Sequence, residues 1–210
     1  MAEQNDVRVP VALYFDYICP FCYVADARLD RVRRRYPVAV QYRFIEIHPD
    51  NPAEGRPVED LGYPPEQWRA MNENLRRMVA EDGLEMAERT FTTNSRRALL
   101  LAQAVFEGRP ERFLDVHRAI FRAYFVDRRN IGDPEVLVDL ARTHGVADLA
   151  ERAWSEQHYL TRLLEHVEAA QALQLTGVPT LVVDDRPFTG AVSVETLEQA
   201  LQQHGDAGRA

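Results

Sequence analysis

Along the chain the hydrophobic positions change period twice. From Val9 to Phe15 the residues are almost continuously apolar, which predicts a central strand covered on both faces. Residues 22 to 35 then place Val24, Ala25, Leu29 and Val32 at near-helical spacing. Arg33, Arg34 and Arg35 follow at the end of that helix, where cations suit its dipole, and Pro37 stops it. Val40, Tyr42 and Phe44 next alternate with Gln41 and Arg43, predicting a second strand that reaches about Ile47. Strand, helix and strand in close succession form a βαβ unit, so the two strands should run parallel.

A loop rich in proline, glycine and acid spans His48 to Pro64, and beyond it the period is helical. Trp68, Met71, Leu75, Met78 and Val79 mark one amphipathic helix; Ala98, Leu101, Ala102 and Val105 a second; Phe113, Val116, Ile120 and Tyr124 a third. Asp133 and Pro134 supply an N-cap and first turn, and Gly145 a stop, for a fourth helix with Val136, Leu137 and Leu140. Leu149, Ala153 and Trp154 suggest a short fifth, and Leu160, Leu163, Leu164, Val167 and Leu173 a longer sixth. Strand character returns at Thr180 to Val183, followed by the turn residues Asp184 and Asp185 and a short strand around Pro187 to Thr189. Ser193 caps a last helix with Val194, Leu197 and Leu201, and a polar tail starts at Gly205. The order βαβ, helices, ββα predicts an α/β fold in which residues 1–62 and 172–210 form one discontinuous domain, interrupted by an all-helical insertion domain at residues 63–171.

Composition narrows the function classes. In 210 residues there are 33 acidic and 25 basic side chains, a net charge of −8, which argues against a sequence-independent grip on nucleic acid. Every base is arginine, so a lysine Schiff base and a phosphate-loop lysine are both excluded. No window reaches the apolar length of a membrane-spanning helix, and the opening MAEQNDVRVPVALYFD lacks the pattern of a secretory signal. The expectation is a cytoplasmic protein with neither membrane nor nucleic-acid partners. In a reducing compartment a cysteine pair is more often catalytic or metal-binding than structural.

The chain has two cysteines, Cys19 and Cys22, in the segment Cys19-Pro20-Phe21-Cys22. They fall between a buried strand and a helix start, where backbone N–H groups and the helix dipole favour an anion. Cys19, the more exposed of the two in this reading, becomes a thiolate nucleophile, and Cys22, a turn further in, can attack the resulting mixed disulfide. Pro20 suits the first helical turn because it has no N–H to leave unpaired. A tetrahedral zinc site would need two more ligands, and the six histidines show no close pair, so no metal is expected. Two buried structural cysteines are the other ordinary reading, disfavoured by their place between strand and helix.

A second signal is Thr176-Gly177-Val178-Pro179-Thr180, just before the late strand. Proline is common at a strand's first position, so alone this says little. A cis Val178–Pro179 bond, however, would present the backbone of Val178 to an extended substrate peptide.

With FDYICPFCY, the FIEIHPD strand end, AYFVDRRNIGD and TGVPTLVVDDRPFTGA, the chain resembles the DsbA-like thioredoxin family, in particular its cytoplasmic FrnE-like branch, from about Val9 to Leu201. The resemblance implies a thioredoxin fold with a four-stranded mixed sheet and an inserted helical domain. It also implies dithiol–disulfide oxidoreductase activity without a cofactor, Cys19 as nucleophile, Cys22 as resolving thiol and Pro179 as the facing cis-proline. Protein or peptide thiols and disulfides would be its substrates, with glutathione or thioredoxin as a cellular reductant.

The sequence departs from that family at several points. Periplasmic DsbA has a histidine between its cysteines that helps hold the thiolate; here Phe21 offers no polar hydrogen, so a milder couple is expected than one whose thiol pKa is about 3.5. Where thioredoxin and DsbA carry a buried acid six residues before the first cysteine, this chain has Leu13. Asp16 could replace that acid as proton acceptor for Cys22, although a strand-end or capping aspartate is the more ordinary reading. The additional C-terminal cysteines of some FrnE-like proteins are absent. His48, the Phe121, Tyr124 and Phe125 cluster, and Asn94, Arg96 and Arg97 are weaker candidates, for which solvation, core packing and helix capping are the plainer roles. Two rival functions are a glutathione-dependent isomerase or transferase of the hydroxychromene-carboxylate isomerase or kappa type, and a peptide-binding holdase with incidental thiols. The intact Cys-x-x-Cys disfavours the first, and retained function in Cys19→Ser would mark the second.

Overall fold

The computed structural model describes residues 8–207, so the first seven residues of the segment read for a signal and the last three of the polar tail lie outside the described residues. Strand β1 (Val9–Phe15) runs parallel to β2 (Val38–Phe44), with helix α1 (Pro20–Arg33) between them. On the other side β1 pairs antiparallel with β5 (Thr180–Val183), which pairs antiparallel with β6 (Arg186–Thr189). The order β2-β1-β5-β6 is a four-stranded mixed sheet. β1 has neighbours on both sides, and Leu13 and Phe15 are fully buried, as its apolar run requires. The β5–β6 hairpin turns on Asp184 and Asp185, both at positive φ (49° and 58°), a backbone that aspartate tolerates better than most residues. Helix α8 (Val194–Ala207) closes the fold, and the Ser193 hydroxyl accepts from Thr196 N at 3.2 Å as its cap.

Between β2 and β5 come α2 (Pro65–Glu81), α3 (Arg96–Gly108), α4 (Pro110–Phe125), α5 (Pro134–Thr143), α6 (Ala147–Ser155) and α7 (Gln157–Ala172). Proline opens α1, α2, α4 and α5 because the first turn has no use for its missing N–H. Asp133 caps α5 by accepting from Glu135 N at 2.8 Å. This stretch is not purely helical, a correction to the pattern-based reading. β3 (Arg56–Pro57) pairs with β4 (Phe91–Thr92) ahead of a single 3₁₀ turn at Val58–Leu61, and strands this short carry no periodicity to read. Strand β2 also ends earlier than expected: beyond Phe44, Ile45 N still donates to Phe15 O, but Ile47 N turns aside to the Asp16 carboxylate.

Helices α3 to α7 pack onto the sheet through one continuous apolar core. At its centre Phe15 meets Tyr17, His117 and Phe44 with ring centroids 5.1, 5.2 and 5.3 Å apart, contacts each worth about 1 kcal/mol beyond burial. Phe121, Tyr124 and Phe125 belong to this core. The Tyr17 hydroxyl shares a 2.8 Å hydrogen bond with His117 Nδ1, so the residue two before Cys19 is fixed in the interior. Helix α2 is different: Leu75 is its one fully covered side chain, packed with Val24 and Ala25 of α1 and with Ala191. Its far end is held by Asp82, which accepts from Arg28 Nε at 2.7 Å and Arg31 Nη1 at 2.6 Å.

Candidate active site

β1 delivers the chain to Asp16, Tyr17 and Ile18, and helix α1 begins directly after Cys19, which stands at its N-cap with extended backbone (φ −84°, ψ 114°). Its carbonyl accepts from Cys22 N and Tyr23 N, while its side chain lies where the first-turn N–H groups converge. Three effects pull the Cys19 thiol below its ordinary pKa: a hydrogen bond from the Cys22 side chain first, then the backbone N–H groups of Cys22 and Phe21, against opposing burial. The Cys22 thiol is pushed well up, by burial first and then by its neighbour Cys19. The pair is thus polarised in the direction thiol–disulfide exchange needs. Cys19 is less exposed than its place in the sequence suggests, at 6% against 0% for Cys22.

Opposite Cys19 stands the loop leading into β5. The Val178–Pro179 peptide bond is cis, and Cys19 Sγ lies 3.7 Å from Val178 O, within reach of a weak S–H donation. Pro179 O accepts from Gly190 N and Gly177 O from the Thr180 hydroxyl, which fixes this loop to the sheet. Val178 is half-buried, beside Pro20 and Phe21, in a cleft of about 310 Å³.

Asp16 is fully enclosed. Its Oδ1 accepts from Ile18 N at 3.3 Å, and its Oδ2 from Ile47 N at 2.9 Å and the Ser95 hydroxyl at 3.0 Å. The strand-end capping role is therefore present. Even so, burial outweighs these donors and raises its carboxyl pKa from 3.8 to about 7, with Glu46 adding a smaller upward push.

The cleft brings in residues whose place beside the thiols the sequence alone did not show. Ile47, Leu61, Tyr63, Trp68, Met71 and Arg89 line it, as does His48, whose pKa burial and then Arg56 push down. Trp68 stacks on Tyr63 with centroids 6.0 Å apart, and the Arg89 guanidinium lies 5.6 Å from the Trp68 ring centre. Asn94 and Arg96 stay structural: Asn94 Oδ1 accepts from Arg96 N at the start of α3, and Arg96 pairs with Glu46 at 2.9 Å. Arg97 donates to Gly132 O. Among the described residues no three His, Cys, Asp or Glu side chains gather as a metal site.

Comparison with known families gives a match over residues 10–202 to the DSBA-like thioredoxin domain. The chain belongs to that family. Within the DSBA-like family, the fold is similar to that of a probable DsbA oxidoreductase from Streptomyces coelicolor, with a TM-score of 0.81, 27% identity, and 93% of this chain and 89% of that one covered. It is also similar to a 2-hydroxychromene-2-carboxylate isomerase (TM-score 0.73, 20% identity, 96% and 99% covered). A third likeness is to the cytosolic disulfide reductase DsbM from Pseudomonas aeruginosa, whose structure holds GSH (TM-score 0.67, 16% identity, 96% and 100% covered). The last two likenesses establish shared architecture alone. The thioredoxin fold with an inserted helical region, implied by the sequence motifs, is the fold of this DSBA-like chain.

Proposed function

We propose that this DSBA-like protein is a dithiol–disulfide oxidoreductase acting on protein or peptide thiols and disulfides. The observation that carries the reading is the opposed polarisation of Cys19 and Cys22 at a helix N-terminus facing Val178-Pro179. The Cys19 thiolate attacks one sulfur of a substrate disulfide. A Cys19–substrate disulfide forms, and the other substrate sulfur leaves with the bond's electron pair and takes up a proton. Cys22 then loses its proton to Asp16 and attacks Cys19 Sγ, expelling the second substrate thiolate and closing the Cys19–Cys22 disulfide. Two electrons have passed from the protein dithiol to the substrate, and the reverse sequence oxidises a substrate dithiol. Pro20 and Phe21 shape the turn between the thiols, and the Val178 backbone receives an extended peptide. The cytosolic setting of DsbM and the GSH held in its structure support a cytoplasmic role with glutathione or a thioredoxin as counter-thiol.

The test is capture of the intermediate. Cys22→Ser mixed with an oxidised peptide should accumulate a Cys19-linked adduct visible by intact mass. Cys19→Ser should form none and lose exchange. A Cys19→Ser variant that still exchanges, or an adduct on Cys22 in the intact protein, would overturn the assignment. The isomerase reading needs no second thiol, whereas here Cys22 is placed to polarise Cys19.

A further inference from the structure

Arg89 differs from the other arginines around it. Arg28 and Arg31 meet Asp82, Arg96 meets Glu46 and Arg122 meets Glu85. Among the described residues Arg89 has no ion-pair partner, and its Nε is buried without any hydrogen-bond acceptor. The guanidinium carbon lies over the Trp68 ring, 5.6 Å from its centre, a contact that uses none of the N–H donors. Arg89 lines two of the larger cavities at once. One is the 310 Å³ cleft of Cys19 and Val178; the other is a groove of about 830 Å³ between α2 and the segment through Leu84, Met86 and Ala87. Trp68 and Arg89 are the wall the two share. Burial lowers the Arg89 pKa, the mark of a cation only partly compensated by its surroundings.

A partly dried guanidinium with a free edge is a receptor for a planar anion, because its fork matches the two oxygens of a carboxylate. The larger groove is apolar on the Leu75, Val79, Leu84 and Met86 side, which fits the body of a peptide rather than a bare inorganic ion. On a chain of net charge −8, an acidic substrate gains little from long-range attraction, so a local cation must hold it.

We propose that Arg89 is a specificity residue that binds a carboxylate of the substrate while its sulfur faces Cys19, so that the preferred substrates are carboxylate-bearing peptide thiols and disulfides. This rests on the dithiol exchange proposed above, and deepens it by naming the substrate class.

The test compares two probes that differ only in the anion: glutathione disulfide and its tetraethyl ester. The rate of each with the reduced protein is measured at about 0.15 M salt, where long-range charge effects are screened beyond about 8 Å. The wild type should favour the free acid over the ester relative to Arg89→Gln, whose acid-to-ester rate ratio should fall at least tenfold. Arg142→Gln, an exposed arginine on α5, controls for loss of one positive charge and should keep the wild-type ratio. Equal loss for both probes would mean that Arg89 acts on the thiols or the fold, and an unchanged ratio would mean that it reads no carboxylate; either overturns the proposal. Should Arg89→Gln fail to fold, Arg89→Lys replaces it, with a ratio at least threefold below wild type expected and no change refuting. Calorimetric binding of S-methylglutathione against its diester needs no redox chemistry. If the thiols exchange with neither disulfide, the oxidoreductase reading fails, while tenfold tighter binding of the acid that vanishes in Arg89→Gln would still establish the carboxylate site.

Discussion

Replacing Asp16 with asparagine isolates one ionisation inside the fold. In the native protein the carboxyl is held neutral up to about pH 7 by burial, against an ordinary value of 3.8. The difference of about 3 pK units corresponds to about 4 kcal/mol at roughly 1.4 kcal/mol per unit. The unfolded chain releases this proton near pH 4, whereas the folded chain keeps it, so between those values the folded state carries more protons. Stability from this group is therefore fully present below about pH 4, declines as the pH rises toward 7, and is flat above. Asparagine cannot titrate. Urea unfolding of the reduced wild type and Asp16→Asn across pH 4 to 8 should show the stability difference moving by about 4 kcal/mol in the variant's favour, with the change confined to pH 4 to 7. Carboxyls that do not interact with Asp16 cancel in that difference, and Glu46, whose push on Asp16 is the smallest of the named effects, adds only a minor change of its own. A constant difference, or one that grows in favour of the wild type with pH, would refute the reasoning. It would mean that Ile18 N, Ile47 N and the Ser95 hydroxyl hold an ionised carboxylate in the fold.

Other consequences are equally direct. Iodoacetamide should modify Cys19 first, with a rate that titrates below the ordinary thiol range, while Cys22 stays unmodified until the protein opens; peptide mapping checks the order. Gly132→Ala should cost about 1 to 3 kcal/mol, because an added methyl would collide with the Thr93 hydroxyl and sit 2.5 Å from Ala53 O; the thermal midpoint should drop by about 2 to 4 °C per kcal/mol. Asp82→Ala removes the shared acceptor of Arg28 and Arg31, leaves the largely buried Arg28 without its carboxylate, and should cost about 3 kcal/mol in denaturant unfolding.

The sheet and most helices were legible in the sequence because each has one dominant signal. β1 is an unbroken apolar run between two neighbours, α5 is bracketed by Asp133-Pro134 and Gly145, and the β5–β6 turn rests on two aspartates. Cys19 and Cys22 were legible for the same reason, their spacing and their strand–helix setting being local. What failed to show is tertiary. β3 and β4 are two residues each and exist only because distant segments meet. Asp16 reads as a strand-end cap, and that bond is present, but its burial comes from Ile47 and Ser95, far along the chain. Nothing in the run Glu85 to Thr90 distinguishes Arg89 from any surface arginine; its meaning comes from Trp68 on α2 and from its Nε, which is buried without an acceptor.

The two tryptophans of this chain occupy unlike places. Trp154, on α6, donates from its indole to Arg97 O, away from the thiols, whereas Trp68 forms the wall between Cys19's cleft and the groove beyond Arg89. The molecule thus contains its own optical sensor and its own reference. Oxidation of the dithiol or arrival of an anion at Arg89 changes the surroundings of one indole and leaves the other alone. With Trp154→Phe in hand, turnover and binding become readable in unlabelled protein from the emission of a single side chain.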